Sequence, residues 1–216
     1  MNVTAPAAAR PPSLAEQAYQ RLEHDLVTLD LAPGAVVSEG LLIERVGLGR
    51  TPVREAIQRL AHQDLIRVMP RKGLMIVPIE QADLLQVLEV RKGLERLIVR
   101  LAALNARDDQ RSGLSSIARD LSFAHESFEK FLDLDSATDR LLDGCAGNPF
   151  AAAAVAPLRT HCRRFWYFYR QRLRLSDAIA AHSSMVRLVA RRDYQGAQKA
   201  SDAVIATLER LVASVE

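Results

Sequence analysis

The chain has 216 residues, 49% hydrophobic and 25% charged, proportions that exclude wholesale disorder and fibrous repeats and suit one large domain or two small ones. Its two cysteines, Cys145 and Cys162, are too few for a metal knuckle and unlike a disulfide framework, so buried thiols in a reducing cytoplasm are expected. No apolar run is long enough to span a membrane, and Met1–Arg10 lack the compact apolar core of a secretory signal, so no membrane partner is expected.

Residues 1–12, Ala- and Pro-rich without periodicity, read as a disordered arm. Ser13 with Glu16 three positions on is a capping box, and Leu14, Ala18, Leu22, Leu26 and Leu29 then fall on one helical face. Pro33-Gly34 is a turn signal, Ala35-Val36-Val37 a short extended piece, and Ser38 the cap of a second helix from Glu39 to about Val46. Gly47 to Pro52 breaks this helix and restarts another, with Thr51 the expected cap and Pro52 in the first turn. Val53, Ile57 and Leu60 point that helix toward a core, which leaves Arg50, Thr51, Arg54 and Gln58 on its solvent face. Leu65–Met69 and Leu74–Pro78 read as two strands around the turn Pro70-Arg71-Lys72-Gly73. Three helices and a hairpin make a winged helix-turn-helix over residues 13–79.

Net charge is only +3, yet Arg45 to Gly73 holds seven basic residues, Arg45, Arg50, Arg54, Arg59, Arg67, Arg71 and Lys72, against two acids, Glu55 and Asp64. A basic patch in a near-neutral chain is the footprint expected of phosphate contact. Beyond Gln81 the strand patterns cease, and Leu-, Ala- and Arg-rich periodicities predict about six helices in an all-α bundle over residues 80–216. Breaks are expected near Asp108, Leu132, Gly144 to Pro149, Ser176 and Asp193. The fold class is therefore mainly α. The run Arg163-Arg164-Phe165-Trp166-Tyr167-Phe168-Tyr169-Arg170 places its rings around a whole helix circumference, as a pocket wall or subunit contact would.

Four blocks in order, Leu31-Ala32-Pro33-Gly34, Gly49-Arg50-Thr51-Pro52-Val53-Arg54-Glu55-Ala56-Ile57, Arg71-Lys72-Gly73, and Glu89-Val90-Arg91 with Glu95, make the chain from about residue 14 to 212 resemble the GntR-type transcriptional regulators, specifically the FadR-like subgroup with an FCD effector domain. The resemblance implies a ligand-responsive regulator, commonly a repressor, that binds a palindromic double-stranded DNA operator as a homodimer in the cytoplasm and answers to a small-molecule carboxylate effector. It puts DNA contacts at Arg50, Thr51 and Arg54 on the recognition helix and at Gly73 in the wing. An Arg can bond guanine through two donors, and a glycine in the wing lets backbone approach the minor groove. Two departures stand out: Gly40 replaces a basic residue early in the second helix, and Asp64 occupies a helix-ending position usually held by glycine.

FCD domains commonly hold a divalent metal through an Asp, a His four residues later and two further His. The corresponding positions here are Asp135, Asp139 in place of the first His, His182, and Val204 in place of the last. Asp135, Asp139 and His182 would form an oxygen-rich three-ligand site for zinc, nickel, iron or manganese, with Asp135 and His182 also within reach of an effector. The plain alternative is that both aspartates cap or solvate a helix and His182 is an interior histidine. Arg91 lies on an apolar stripe with Leu84, Leu88 and Ile98 and must find a carboxylate, either Glu95 one turn on or an acidic effector. No nucleophile, phosphate loop or acid/base pair supports an enzyme. The competing class is a metal-dependent enzyme or ligand-binding protein whose N-terminal half is an interaction module.

Overall fold

The structure is a computed structural model that describes residues 11–214; the first ten residues of the expected arm lie outside them. The chain divides between Pro78 and Ile79 into two compact units.

In the first unit, α1 (Leu14–Val27) starts at Ser13, whose Oγ accepts the Glu16 N–H at 3.1 Å. Ala18, Tyr19, Leu22 and Leu26 bury the inner face, while Leu14 in the first turn stays exposed. Leu29, expected on that face, lies past the helix end with φ 62°. The two-residue strand β1 (Val36–Val37) leads to α2 (Glu39–Val46), capped by Ser38, whose Oγ accepts the Leu41 N–H at 3.1 Å. The third helix, α3 (Arg50–His62), begins earlier than expected, with Gly49 rather than Thr51 as its cap. The reason is that helix N-termini leave four N–H groups without an intrahelical partner, so Pro52 can sit third and lose nothing. Val53 then makes the first backbone bond, to Gly49 O at 3.4 Å.

Strands β2 (Ile66–Met69) and β3 (Gly73–Ile76) form the hairpin, and β1 adds to β3, so the sheet order is β1-β3-β2, antiparallel throughout. One core, from Leu22, Leu26, Leu42, Val53, Leu60, Leu65 and Ile76, joins the three helices to the sheet. Asp64 turns the chain out of α3 with φ 52°, the left-handed conformation that a glycine would take without strain.

The second unit is entirely helical among the described residues: α4 (Gln81–Asn105), α5 (Asp108–Ser122), a single 3-10 turn (Ala124–Glu126), α6 (Phe128–Ala146), α7 (Pro149–Phe168), α8 (Leu175–Ala190) and α9 (Tyr194–Ala213). The break expected near Leu132 lies instead at the 3-10 turn, and Leu132 is buried inside α6. The capping signal was Ser127, whose Oγ accepts the Lys130 N–H at 3.2 Å; Leu132 has no breaker beside it. The long α4 packs against α9, α6 and α7, while α8 bridges α5 and α9. Cys145 and Cys162 are free and buried. No helix among the described residues is long and apolar enough to cross a membrane.

Candidate functional site

Two places gather the residues singled out from the sequence. The first is the exposed edge of the winged unit. At the start of α3, Arg50, Thr51 and Arg54 are exposed while Val53, Ile57 and Leu60 are buried. That first turn carries no acidic residue and no side-chain cap. Its N–H groups and the positive end of the helix dipole are therefore open to an anion, with Arg50 adding a full charge.

The basic patch is less free than its count suggests. Arg45 pairs with Asp25 and Asp30, Arg54 with Glu39 (2.7 Å), Arg59 with Glu16 (2.7 Å) and Arg67 with Asp64 (3.4 Å). Four of these five acids, Glu16, Asp25, Asp30 and Glu39, precede Arg45 in the chain and so lie outside the basic stretch. Arg59 also covers the Tyr19 ring, 3.6 Å from its centroid, and so braces α3 on α1. Arg50, Arg71 and Lys72 make no ion pair among the described residues. Exposed pairs such as Arg54–Glu39 are worth little and yield readily to a phosphate or a base edge.

The wing differs in one detail from the expectation. Its tip is Pro70-Arg71-Lys72, closed by the Lys72 N–H on Met69 O at 3.0 Å, and Arg71 takes φ 64° there. Gly73 is the first residue of β3, opposite Met69. A Cβ at Gly73 would sit 2.6 Å from Val37 O, so the glycine is what lets β1 close on the hairpin. Among the described residues Arg71 and Lys72 are thus the exposed, unpaired cations of the wing, whereas the sequence places both in the basic patch and puts the wing's contact at Gly73.

The second place lies inside the helical unit, where Arg91, Glu95, Asp135, Asp139, Arg159 and His182 are all buried. On α6 the carboxylates Asp135, Asp139 and Asp143 follow at intervals of four, and on α7 Arg159 and Arg163 answer them at the same interval. Arg163 bonds Asp135 Oδ2 through Nε at 2.7 Å and Asp139 Oδ2 through a terminal nitrogen. Arg159 reaches Asp139 Oδ1 at 3.2 Å, Asp143 at 2.9 Å and, through two nitrogens at 2.9 and 3.0 Å, both oxygens of Glu95. Arg91 closes the chain on Glu95 at 3.1 Å, so of its two candidate partners it has the one on its own helix.

Electrostatics follow the geometry. Burial would raise the Glu95 carboxyl, but Arg159 and Arg91 outweigh it and hold it at about 2. Asp135 also suffers burial, and Arg163 and His182 more than reverse it, keeping the group ionised. Asp139 goes the other way: burial, helped by Asp135 beside it, overcomes Arg159 and Arg163 and lifts it to about 6.

His182 Nδ1 lies 2.7 Å from Ala178 O, a pure acceptor, so Nδ1 carries hydrogen and Nε2 faces Asp135 Oδ1 at 3.1 Å. Phe131 and Trp166 flank its ring, so part of the aromatic run is core beside the charge cluster. Asp135, Asp139 and His182 therefore belong to one cluster, joined by Arg163 and by the Asp135–His182 contact, but they do not fit a divalent ion. A metal site needs at least three protein donors with free lone pairs. Both oxygens of Asp139 and Oδ2 of Asp135 are held by guanidinium, and Asp135 Oδ1 and His182 Nε2 face each other at 3.1 Å, so three free donors do not converge. Val204, at the fourth expected ligand position, is buried and apolar and brings no donor. Among the described residues no three His, Cys, Asp or Glu are placed to hold a metal ion.

Comparison with known proteins agrees with both halves. Residues 14–76 match the gntR family of bacterial regulatory proteins, and residues 86–207 match the FCD domain. The HTH-type transcriptional repressor GlaR of Escherichia coli is 26% identical over 166 residues, covering 76% of this chain and 70% of that protein. The repressor RspR of the same organism is 29% identical over 154 residues, covering 70% and 68%. The solved structure of E. coli McbR/YncC superposes with a TM-score of 0.82 over 94% of this chain and 99% of that one, at 20% identity, a likeness of fold. These relatives are transcriptional regulators and not enzymes, which sets aside the hydrolytic reading of Asp135, Asp139 and His182.

Proposed function

Because the chain belongs to the gntR family of bacterial regulatory proteins and carries an FCD domain, we propose that it is a ligand-responsive repressor that binds a palindromic operator as a homodimer in the cytoplasm. The observation that carries this reading is the start of α3, uncapped by any side chain, free of acids and fringed by exposed Arg50, Thr51 and Arg54. Arg54 and Arg50 read base edges in the major groove, Thr51 and the first-turn N–H groups hold phosphate, and the wing lays Arg71 and Lys72, with the Gly73 backbone, against the neighbouring groove.

A second copy of the chain is the natural occupant of one face of α4. Val87, Val90, Leu94, Leu97, Leu101 and Leu104 follow at alternating intervals of three and four, the seam spacing of paired helices. Val90, Leu97 and Leu104 are 56%, 37% and 49% exposed, although they are apolar and regularly placed. Gly93 flanks this seam in mid-helix, and a Cβ there would touch nothing of this chain. A mid-helix glycine costs about 1 kcal/mol against alanine, and close approach of a partner helix gives it a purpose. Two copies so joined present two recognition helices to two half-sites, as operator symmetry requires.

The effector we infer is a small carboxylate. The α7 arginines already hold carboxylates in bidentate and bridging contacts, and burial raises Asp139, so it gives up its charge more readily than Glu95 or Asp135. An effector carboxylate competes with Asp139 for Arg163, beside Arg91, Asp135 and His182. The shift in the α6–α7 pairing then biases which domain arrangement is populated, by no more than the effector's differential affinity.

The test is Arg54→Ala on a duplex enriched by the full chain from a random pool. Discrimination against unrelated duplex should fall by about 1–3 kcal/mol at that base, with the dimer intact by sedimentation. Unchanged discrimination would remove α3 from the recognition role.

A further inference from the structure

Of the four positions where the family resemblance expects metal ligands, Asp139 replaces one imidazole and Val204 another. The structure places a cation where those changes point. The Arg163 fork spans Asp135 and Asp139, one helical turn apart on α6, while Arg159 takes the far oxygen of Asp139. Both substitutions work in the same direction. An aspartate at 139 offers guanidinium a better partner than an imidazole would, and valine at 204 withdraws a donor that an ion would use and Arg163 does not need. A guanidinium also satisfies directional hydrogen bonds that a bare ion would leave to water, which suits a place as buried as this one.

We propose that Arg163 is the resident cation of this site, a guanidinium that ties Asp135 and Asp139 together in place of a divalent ion and so makes the domain independent of such ions and closed to them. The ion's two tasks are divided accordingly. Joining α6 to its neighbours falls to Arg163 and Arg159 on α7, and the positive charge offered to a bound carboxylate is that of Arg163, whose side chain is 12% exposed and stands at the edge of the cluster. Nothing in this depends on the DNA-binding reading, because the experiment reads metal alone.

The experiment measures metal content and melting temperature of the untagged full chain, purified without chelator and then offered zinc, nickel or manganese salts. For the unaltered chain the expected result is substoichiometric metal, with no shift in melting temperature on adding either the ions or EDTA. In Arg163→Ala, Asp135 and Asp139 each lose the Arg163 guanidinium from one oxygen and, with His182 beside them, offer donors on three side chains, so the variant should take up one ion per chain and melt higher with the ion than without. Arg163→Gln, of similar reach but uncharged, carries the same comparison if the alanine variant does not fold. Stoichiometric metal in the unaltered chain, or a lower melting temperature in EDTA, overturns the proposal. So do Arg163 variants that neither take up an ion nor are restored by one, since the guanidinium would then not be standing where an ion can.

Discussion

Glu95 shows how much of the helical unit hangs on single ionised groups. Its carboxylate accepts two bonds from Arg159 and one from Arg91, all from buried side chains. With its folded-state value held at about 2 against an ordinary 4.5, its contribution is complete above about pH 4.5 and is lost as pH falls toward 2. Asp139 has the opposite sign: lifted to about 6, it favours the folded state while protonated, and that advantage drains away as pH rises from about 4 to 6. Glu95→Gln should therefore destabilise the helical unit by about 3–5 kcal/mol at neutral pH, the cost of stranding buried charge. It should also flatten the acid limb of melting temperature against pH. A variant that melts like the unaltered chain at pH 7 would mean the arginines are solvated in place and need no carboxylate. At this scale the sequence was partly legible. Arg91 on an apolar stripe demands a carboxylate and Glu95 one turn away supplies it, whereas Arg163 opens, and Arg159 just precedes, a run of rings that reads as a pocket wall or subunit contact. The spacing that reveals them, Asp135, Asp139 and Asp143 on one helix against Arg159 and Arg163 on the next, is visible only once the two helices are known to be neighbours.

Among the elements, α3 and α4 carry the proposed recognition and association surfaces. The helix-turn-helix was readable because its signals are local: Ser13 and Ser38 both cap as their positions imply. The start of α3 was placed at Thr51 because a side-chain oxygen is the usual cap, yet Gly49 serves and Pro52 fits the third position. That shift matters, because it brings Arg50 and Thr51 into the first turn, where helix N–H groups face solvent. The seam on α4 was hidden behind the helix's stronger inward stripe, Leu84, Leu88, Arg91, Glu95 and Ile98. It separates from that stripe only when exposure is known. Gly93→Ala gives a clean reading of it. In an isolated helix the change stabilises by about 1 kcal/mol. At a close-packed seam the added methyl instead weakens association, so the dimer dissociation constant should rise in sedimentation equilibrium while the dissociated chain melts no lower. A dimer unchanged by Gly93→Ala would place the partner on another face.

For the molecule as a whole, the order of a winged unit and a helical unit was written in composition, since strand patterns end before Gln81 and only helical periodicity follows. Charge was a weaker guide. The excess between Arg45 and Gly73 shrinks once α1 and α2 lend Glu16, Asp25, Asp30 and Glu39, and what remains free is concentrated at Arg50 and the wing tip. Recognition therefore depends on where the unpaired cations stand more than on how many there are, and non-specific attraction should be modest and salt-sensitive. The proposed function requires a two-fold assembly that binds duplex DNA by sequence. Repeated selection from a random duplex pool by the full chain measures that binding. The prediction is an enriched inverted repeat with half-site centres separated by about one helical turn or a multiple of it. A pool that stays random after selection, or one that enriches a lone half-site without symmetry, would contradict it.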